Sequence, residues 1–396
     1  MSSITTSRGY AIHDTKDYKN FKVIEYPLKK EEADDVTVHV DVCGTCGSDH
    51  HTISGGWGPL THPEYIITGH EIVGKVVQVG PNVKEFKVGD RVGIGAQAGS
   101  CGKCKECQND NENYCSVSPV DTYNGKWPSG DYSQGGYSTH VRAQQKFVFH
   151  LPEQITSEDA ASILLGKSSR EHNLIASVHL FRLCAGITSC SPLFRNNVGQ
   201  GSKVGVVGLG GLGHYAVLFA VALGAEVTVS IFAKKQCHLP FSPVYPIFEQ
   251  VFSHSERKKD DALKMGAKHF VTTTGDFAKD HALSLDIIIC TASNASLPLN
   301  ELITCLVPQG KFVWNGMPET DWPALRSQTM AGNGAFIGSS HIGSKAEITR
   351  MLQLAADKNI KPWITTRPMK EAAQSIEDVE TGRARYRTIL IQDIDQ

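Results

Sequence analysis

A glycine-rich loop joins a short β-branched run at residues 204–207 to an apolar run with helical spacing that ends near Leu223. The loop has the pattern G-x-G-G-x-G, with its glycines at Gly208, Gly210, Gly211 and Gly213. In such a loop the first glycine permits a tight turn, the second lets the backbone approach a pyrophosphate, and the last lets the helix pack closely on the strand. The N-terminus of the following helix favours negative charge. In this strand–loop–helix setting the pattern predicts a dinucleotide-binding site, although an ordinary glycine turn can show the same letters.

The first 150 residues and the residues from Lys203 onward differ in their hydrophobic pattern. The first part alternates short β-branched runs, at 36–40, 72–79 and 90–94, with glycine turns, which predicts a β-rich, barrel-like domain. In the second part strand candidates alternate with helical or loop stretches, which predicts a parallel sheet covered by helices. These candidates lie at 204–207, 225–229, 269–271, 286–290 and 310–313. Because most domains have about 100–200 residues, we expect two domains in this chain of 396 residues.

The charge balance and the apolar runs exclude several classes of protein. The chain has 39 basic and 41 acidic side chains, so it has no basic surplus to neutralise phosphates, and nucleic-acid binding is not expected. Its longest apolar stretch, at 216–225, is about half as long as a membrane span requires. The first residues lack the apolar segment of a secretory signal. We therefore expect a cytoplasmic protein without a membrane partner.

Four of the eleven cysteines lie within fifteen residues, at Cys101, Cys104, Cys107 and Cys115. An odd number of cysteines without a secretory signal argues against a disulfide framework. Zn²⁺ prefers a tetrahedral shell, and gaps of two residues let a tight turn direct successive sulfur atoms to one point. Four protein ligands leave no position for a substrate, so the spacing predicts a structural zinc site. The alternative is a set of free or redox-active thiols.

A second group of metal ligands is less certain from spacing alone. The segment 43–51 contains Cys46, and the segment 68–71 contains His70 followed by Glu71. Cysteine and histidine suit a catalytic zinc, in which a third protein ligand leaves one coordination position open. By its residue chemistry alone, His70 fits an ordinary buried imidazole equally well.

The segment 252–259 bears on the choice of dinucleotide. An acidic residue near the end of the second strand normally binds the ribose 2′-hydroxyl of NAD, but here Ser253 and Ser255 are followed by cations that include Lys258. Small hydroxyls and cations suit a 2′-phosphate, so the segment predicts NADP. Glu256 argues slightly against this reading, and the alternative is a solvated run of charges.

Together these motifs resemble those of the zinc-dependent medium-chain alcohol dehydrogenases, and the likeness covers nearly the whole chain. The motifs follow the family's order: Cys46-x-Ser48-Asp49-x-His51, Gly69-His70-Glu71, the four cysteines, 184–188 and 208–213. Within the family the chain is similar to the NADP-dependent cinnamyl alcohol dehydrogenase branch. The segments that carry this closer likeness are 109–115, 133–137, 253–259 and 385–387.

The resemblance implies an α/β protein with a GroES-like β-rich catalytic domain and a Rossmann domain built on a doubly wound parallel sheet. The implied boundaries are 1–183 for the catalytic domain, 184–341 for the NADP-binding domain and 342–396 for a return to the catalytic domain. The resemblance also implies a homodimer, two zinc ions per chain and NADP(H) as the cofactor.

The family pattern also assigns roles to individual residues. The implied ligands of the catalytic zinc are Cys46, His70 and Cys184, with Glu71 beside them as an occasional ligand. The resemblance implies three catalytic residues. Asp49 would orient the zinc ligands. Ser48 would donate a proton to the developing alkoxide, and His51 would pass protons to solvent through the cofactor ribose. Thr188 would lie near the nicotinamide. Trp57 is either a wall of the substrate pocket or a core tryptophan.

The implied reaction is hydride transfer between NADP(H) and an aldehyde/primary alcohol pair, aromatic or aliphatic. Since cells usually keep NADPH reduced, family analogy favours aldehyde reduction. The closest alternative is an NAD-dependent polyol dehydrogenase of the same superfamily.

Two stretches, 166–183 and 230–251, depart from the family pattern and split motifs that are otherwise intact. Gly166-Lys167-Ser168 and Val229-Ser230-Ile231 can each be encoded by codons that contain GTAAGT, a common intron donor. Our hypothesis is that both inserts are translated introns; the competing reading is a pair of genuine surface loops. If the inserts disturb the zinc or dinucleotide site, the chain would be a catalytically dead dinucleotide-binding protein.

Overall fold

The computed structural model describes residues 3–151, 184–231, 258–273, 276–293, 296–361 and 363–395. The first suspect insert, 166–183, lies outside the described residues, and so do Ser253 and Ser255. Only Ser230 and Ile231 of the second insert are described. They complete a β-strand, in which Ser230 is in register with Val207 of the neighbouring strand.

The strands and helices of the described residues are numbered here in chain order. The strands are β1 (Thr6–Ala11), β2 (Lys22–Pro27), β3 (Asp35–Thr45), β4 (Ile72–Val79), β5 (Arg91–Ile94), β6 (Gln97–Gly99), β7 (Val120–Asp121), β8 (His140–Gln144), β9 (Val148–His150), β10 (Lys203–Val207), β11 (Glu226–Ile231), β12 (His269–Thr272), β13 (Leu285–Cys290), β14 (Leu306–Trp314), β15 (Phe336–Ser339), β16 (Ile364–Pro368) and β17 (Arg387–Ile391). The helices are α1 (Gly47–Ile53), α2 (Lys105–Gln108), α3 (Ala185–Arg195), α4 (Gly211–Ala222), α5 (Lys259–Lys264), α6 (Phe277–Asp280), α7 (Leu299–Thr304), α8 (Ser327–Asn333), α9 (Lys345–Lys358) and α10 (Ala372–Glu380).

The described residues divide into two compact units. The first contains the residues up to Ser191, His341–Val379 and the residues from Ala384. The second contains Pro192–Ser340 and Glu380–Arg383. The sequence predicts domain boundaries at 183/184 and 341/342. In the structure the corresponding boundaries between the two units lie at 191/192 and 340/341.

The first unit is built around a seven-stranded sheet with the order β16-β17-β3-β4-β5-β9, in which β8 also pairs with β3. Every pairing in it is antiparallel except that of β16 with β17. Valines at alternate positions of β3 point into its core, for example Val36, Val38 and Val40. This pattern agrees with the predicted β-rich domain.

The central strand β3 brings together segments that are far apart in sequence. On one side Cys43 of β3 is in register with Ile72 of β4, so the end of β3 lies beside the residues that precede β4. On the other side Thr45 is in register with Thr388 of β17. The loop after β3, the residues before β4 and the start of β17 therefore meet at one edge of the sheet.

The second unit contains a six-stranded sheet with the order β12-β11-β10-β13-β14-β15, and all of its strands are parallel. Numbered from β10, this order is 3-2-1-4-5-6, the order of doubly wound dinucleotide-binding sheets. Central strands such as β13 are buried, and Ile288 and Ile289 are fully inaccessible to solvent. The predicted Rossmann domain is therefore confirmed. No helix in the described ranges is long and apolar enough to cross a membrane.

Candidate active site and metal sites

The four clustered cysteines bring their sulfur atoms together as the corners of a small tetrahedron. The Sγ–Sγ distances are 3.9 Å for Cys101–Cys107, 3.5 Å for Cys104–Cys107, 3.9 Å for Cys104–Cys115 and 3.6 Å for Cys101–Cys115. Zn–S bonds of about 2.3 Å in a tetrahedron place the sulfur atoms about 3.8 Å apart, so these residues fit a zinc ion. A disulfide would require a separation of about 2.05 Å, and all four residues are free thiols.

Backbone amides support the sulfur atoms of this cysteine lobe, which we define as residues 100–116. The N–H groups of Lys103 and Cys104 donate to Sγ of Cys101 at 3.4 and 3.3 Å. Such donors stabilise a thiolate, which is the form that binds a metal. Helix α2 and a 3₁₀ helix at Glu112–Tyr114 complete the lobe.

The second predicted metal site is also assembled. Its four residues are buried, and one ligand atom from each lies within 4.8 Å of the others: Cys46, His70, Glu71 and Cys184. Three segments supply them, since Cys46 follows β3, the pair 70–71 precedes β4, and Cys184 precedes α3. The site is therefore a product of the β3–β4 pairing and of the chain that enters α3.

Asp49 holds the backbone at Cys46 and at Gly69, the residue before His70. Its Oδ2 atom accepts a hydrogen bond from the N–H of Cys46 at 2.8 Å, and its Oδ1 atom accepts one from the N–H of Gly69 at 2.9 Å. The hydroxyl of Tyr137 donates to Oδ2 at 3.2 Å. Asp49 is fully buried, so this carboxylate fixes the loop after β3 against the residue before His70.

The two ring nitrogens of His70 have different surroundings. Its Nδ1 atom lies 3.1 Å from the hydroxyl of Tyr123 and 3.6 Å from Oδ1 of Asp49. Its Nε2 atom is buried and has no hydrogen-bond partner among the described residues. Burial lowers the pKa of His70, but Asp49 and Cys46 together outweigh that effect and raise the pKa well above its usual range. A divalent cation on Nε2 would supply the positive charge that these surroundings favour, so the residues fit a metal ion.

The two cysteines of this site shift each other's pKa in opposite directions. A hydrogen bond from Cys184 holds the pKa of Cys46 well below its usual range, and the same interaction raises the pKa of Cys184. Arg387 contributes to the lowered pKa of Cys46 by its charge. A thiolate is therefore already favoured at Cys46, in the form that a metal requires.

Glu71 forms a buried ion pair with Arg387, through Nη2 of the guanidinium and Oε1 of the carboxylate. Burial raises the pKa of Glu71, and the positive charge of Arg387 opposes that rise. Arg387 is the first residue of β17, which the pairing with β3 brings to this edge of the sheet. The arginine therefore partly neutralises a carboxylate that would otherwise be isolated among anions.

The remaining predicted site residues of the first unit lie on α1 and α3. Ser48 is half-buried in the first turn of α1, and its Oγ atom lies 3.7 Å from Sγ of Cys46. His51 lies one turn further along the same helix, and the ring of Trp57 stacks on it with centroids 4.9 Å apart. Trp57 is 39% exposed, so it is not a core tryptophan. Thr188 is buried in α3, and its N–H donates to the carbonyl of Cys184 at 2.8 Å.

The glycine loop connects β10 to α4 in the second unit, as predicted. Gly208 has a φ of 90°, which favours glycine, and a Cβ atom at Gly213 would clash with the carbonyl oxygen of Gly208. A Cβ atom at Gly210 would meet no atom within 4 Å, and Gly211 begins the helix. Gly213 is therefore required for packing, whereas Gly210 leaves open space beside the loop.

Lys258 is the described member of the predicted phosphate-binding segment. Its Nζ atom donates to the carbonyl of Leu209 at 2.7 Å, and the residue is buried. The ammonium group therefore lies at the glycine loop. The contacts of Ser253 and Ser255 stay predictions, because both residues lie outside the described ranges.

Three residues of the site were not predicted from the sequence: Tyr123, Tyr137 and Arg387. Tyr123 is 53 residues from His70, Tyr137 is 88 residues from Asp49, and Arg387 is 316 residues from Glu71. Tyr137 and Arg387 lie within segments used for the family resemblance, but no local pattern links Tyr137 to Asp49 or Arg387 to Glu71. These contacts follow from the tertiary fold rather than from spacing along the chain.

Two family models match the chain. Residues 32–153 match the alcohol dehydrogenase GroES-like domain, and residues 265–390 match the zinc-binding dehydrogenase model. The first match contains the four-cysteine site and three of the four residues of the second metal site.

Similar proteins cover almost the full chain. NADP-dependent alcohol dehydrogenase 6 of Saccharomyces cerevisiae is 36% identical over 99% of this chain and 98% of its own length. The structure of a cinnamyl alcohol dehydrogenase from Sorghum bicolor has a TM-score of 0.82 and 32% identity, covering 98% of this chain and 97% of that one. The CAD structure from Helicobacter pylori, complexed with NADP(H), has a TM-score of 0.80 and 30% identity, covering 99% of both chains. With a GroES-like unit, a Rossmann unit and this degree of likeness, the chain belongs to the zinc-dependent medium-chain alcohol dehydrogenases, with cinnamyl alcohol dehydrogenases among its relatives.

Proposed function

We propose that this alcohol dehydrogenase is a zinc-dependent enzyme that transfers hydride between NADP(H) and an aldehyde/primary alcohol pair of the cinnamyl type, and that it favours aldehyde reduction. The observation that carries the proposal is the buried Nε2 atom of His70, which faces the ligand atoms of Cys46 and Cys184 and has no hydrogen-bond partner among the described residues. Relatives named for NADP dependence and for cinnamyl alcohol support the choice of cofactor and substrate class.

The chemistry at the reacting oxygen would follow from this arrangement. A zinc ion held by Cys46, His70 and Cys184 would act as a Lewis acid on a carbonyl oxygen, and NADPH would supply the hydride. The hydroxyl of Ser48, close to Sγ of Cys46, would donate the proton that this oxygen needs as it gains negative charge. His51 lies three residues further along α1, on the same face, where it would pass protons between Ser48 and solvent through the ribose of the cofactor.

The NADP preference rests on the second unit. The pyrophosphate would bind at the N-terminus of α4, beside the open space at Gly210. Lys258 brings a positive charge to this loop, and the hydroxyls of Ser253 and Ser255 would complete the contacts with a 2′-phosphate. Thr188, one turn into α3 from Cys184, would contact the nicotinamide.

The proposal also covers a structural zinc ion, the oligomeric state and the location of the protein. We propose a second, structural zinc ion in the cysteine lobe, since the four sulfur atoms fit its tetrahedral geometry. The homodimeric state and the cytoplasmic location remain predictions from the family resemblance and from the N-terminal sequence.

A metal analysis combined with an activity assay tests the proposal. The full chain should contain two zinc ions and should oxidise NADPH faster than NADH in the presence of cinnamaldehyde. Sorbitol oxidation with NAD⁺ as the preferred activity would instead favour the polyol dehydrogenase. NADPH binding without turnover, with one zinc ion per chain, would indicate a catalytically dead protein.

Two variants separate the catalytic ligands from other buried thiols. Cys46→Ser should lose one zinc ion and nearly all turnover, while the second zinc ion stays in place. Cys290→Ala is the matched control, because Cys290 is fully buried in β13 of the other unit and belongs to neither metal cluster. This control should keep both zinc ions and full activity.

The suspect inserts need their own comparison. The full chain should be assayed beside a shortened chain that lacks 166–183 and 232–251, in which Ser230 and Ile231 are kept because they belong to β11. Activity in the shortened chain alone would support the hypothesis that the inserts inactivate the protein. An inactive shortened chain that holds both zinc ions would contradict the proposed reaction.

A further inference from the structure

Three consecutive residues of the cysteine lobe hold a segment that lies more than 220 positions further along the chain. Oε1 of Glu112 accepts a hydrogen bond from the N–H of Lys345 at 2.6 Å. Nδ2 of Asn113 donates to the carbonyl of His341 at 3.0 Å, and the hydroxyl of Tyr114 accepts from the N–H of His341 at 3.3 Å. We call these three hydrogen bonds the lobe clamp.

Two residues of the lobe clamp are buried and lie between the cysteines, whereas Tyr114 is 40% exposed. Glu112 is 2% exposed and Asn113 is 6% exposed, so losing their partners would leave polar atoms unsatisfied. Both residues lie between Cys107 and Cys115, in the 3₁₀ helix at Glu112–Tyr114. A metal bound to these two cysteines would fix both ends of the segment that carries the clamp.

The clamped segment is the beginning of α9. Ser344 caps this helix, since its hydroxyl accepts from the N–H of Glu347 at 3.3 Å and its own N–H donates to Oε2 of Glu347 at 3.0 Å. Lys345 is the first residue of the helix, and its N–H donates the hydrogen bond that Glu112 accepts. The clamp therefore positions the N-terminus of α9 and the side chain of Glu347.

The beginning of α9 in turn contacts α3. Oε1 of Glu347 accepts a hydrogen bond from the hydroxyl of Ser191 at 3.0 Å. Gly343 lies so close to Ile187 that a Cβ atom at Gly343 would come within 2.5 Å of that side chain. The helix that carries Ser191 and Ile187 begins directly after Cys184.

We propose that the lobe clamp positions Cys184, so that the cysteine lobe helps to build the catalytic metal site. The clamp holds the first turn of α9, this turn contacts α3, and α3 begins directly after Cys184. Asn113 and Tyr114 are thus positioning residues, distant from the reacting atoms. The part of the proposal that concerns catalytic zinc rests on the proposed function, whereas the mechanical link does not.

Hydrogen exchange measures the mechanical link without any need for catalytic zinc. The double variant Asn113→Ala/Tyr114→Phe removes the two bonds to His341, and Asn113→Asp removes the donor at constant shape. In both variants we expect about fivefold faster amide exchange in 341–350 and in 185–191, the size expected for a lost hydrogen bond. Asn111→Ala is the control, because among the described residues the side-chain amide of Asn111 donates locally, to the carbonyl of Asn109 at 2.8 Å. The control should leave exchange in both segments unchanged.

Zinc release measures the consequence for the site. With a chelator, the double variant should lose the zinc ion of the catalytic site about three- to tenfold faster than the wild type and the control, at the low end of the effect of residues that support metal ligands. Cobalt substitution identifies which site is emptied, since a site with two cysteines and one histidine absorbs differently from a four-cysteine site.

The outcomes separate the two proposals. Faster exchange in 341–350 with unchanged exchange in 185–191 would overturn the inference, as would faster exchange in 185–191 in the Asn111→Ala control. A wild-type chain without zinc at Cys46, His70 and Cys184 would overturn the proposed function, while the exchange experiment would still decide whether the lobe clamp acts on α3.

Discussion

The hydroxyl of Tyr123 lies 3.1 Å from Nδ1 of His70, and this contact leaves Nε2 as the ring nitrogen that faces the two cysteines. Both residues are buried, so the imidazole cannot turn without losing a hydrogen bond that water is poorly placed to replace. A partner on the distal ring nitrogen sets the orientation and the basicity of a ligating histidine.

The first prediction follows from this contact. Tyr123→Phe should reduce the zinc affinity of the catalytic site by about tenfold, because the imidazole loses one of the groups that orient it. Competition with a chelator of known affinity measures the change. Tyr132→Phe is the control, since the Tyr132 ring packs against His62 and lies outside the metal site. Equal zinc affinity in the two variants would contradict the orienting role of Tyr123.

The buried pair of Glu71 and Arg387 leads to the second prediction. Arg387→Met should lower the free energy of unfolding by about 3 kcal/mol, because it leaves a buried carboxylate without its cation. Adding Glu71→Gln to this variant should recover a large part of the loss, since no buried charge would then remain unpaired. Chemical denaturation of the wild type, both single variants and the double variant measures the coupling. Additive losses would show that the two side chains do not act as a pair.

Two glycines of the same loop should respond differently to alanine. Gly210→Ala should fold normally but bind NADPH at least tenfold more weakly, because its Cβ atom would meet only the space where we place the pyrophosphate. Gly213→Ala should lower stability as well, by about 2 kcal/mol, since its Cβ atom would clash with backbone. Thermal unfolding and NADPH fluorescence titration measure the two effects. Unchanged NADPH binding in the folded Gly210→Ala variant would place the pyrophosphate elsewhere.

A pH-dependent contribution to stability is expected at the surface of the first unit. Nε2 of His39 lies 3.1 Å from Asp395 and its Nδ1 lies 3.6 Å from Asp41. The interaction with Asp41 is the largest effect that raises the pKa of His39 above 6.5, with Asp395 adding to it and burial opposing it. The neighbouring His140 has a lowered pKa, first through burial and then through the charge on His39.

Because the pKa of His39 is raised in the folded state, its contribution is fully present below pH 6.5 and is lost as the pH rises through the folded value. His39→Gln should therefore lower the free energy of unfolding at pH 6 by roughly 0.5 kcal/mol, since the pair is partly exposed, and by less at pH 8.5. Denaturant titrations of the wild type and the variant at both pH values measure the difference. Asp395→Asn should reduce the same difference, and a larger loss at pH 8.5 than at pH 6 would contradict the assignment.

Features with short spacing along the chain can be predicted from the amino-acid sequence. The four cysteines lie within fifteen residues, and the six-residue glycine loop follows directly on a β-branched run. In both cases a few backbone angles decide where the chemical groups point, so the local pattern predicts the site. The α/β architecture is likewise predictable, because the alternation of buried strands and helices repeats along the second half of the chain.

The ligand set of the second metal site required more than local pattern. Residue chemistry left His70 undecided between a ligand and a buried imidazole, and only family resemblance linked it to Cys184. In the structure its surroundings favour the ligand reading, since Tyr123 and Asp49 occupy the side of Nδ1 while Nε2 has no hydrogen-bond partner among the described residues.

The sequence by itself predicted the four-cysteine lobe, the glycine loop and the two fold types, because each depends on residues that are neighbours along the chain. The tertiary structure alone decided that Arg387 pairs with Glu71 and that Asn113 holds His341. These partners are 316 and 228 residues apart, and their contacts depend on the register of β17 against β3 and on the position of α9. Such contacts arise from the packing of whole elements, which no local spacing encodes.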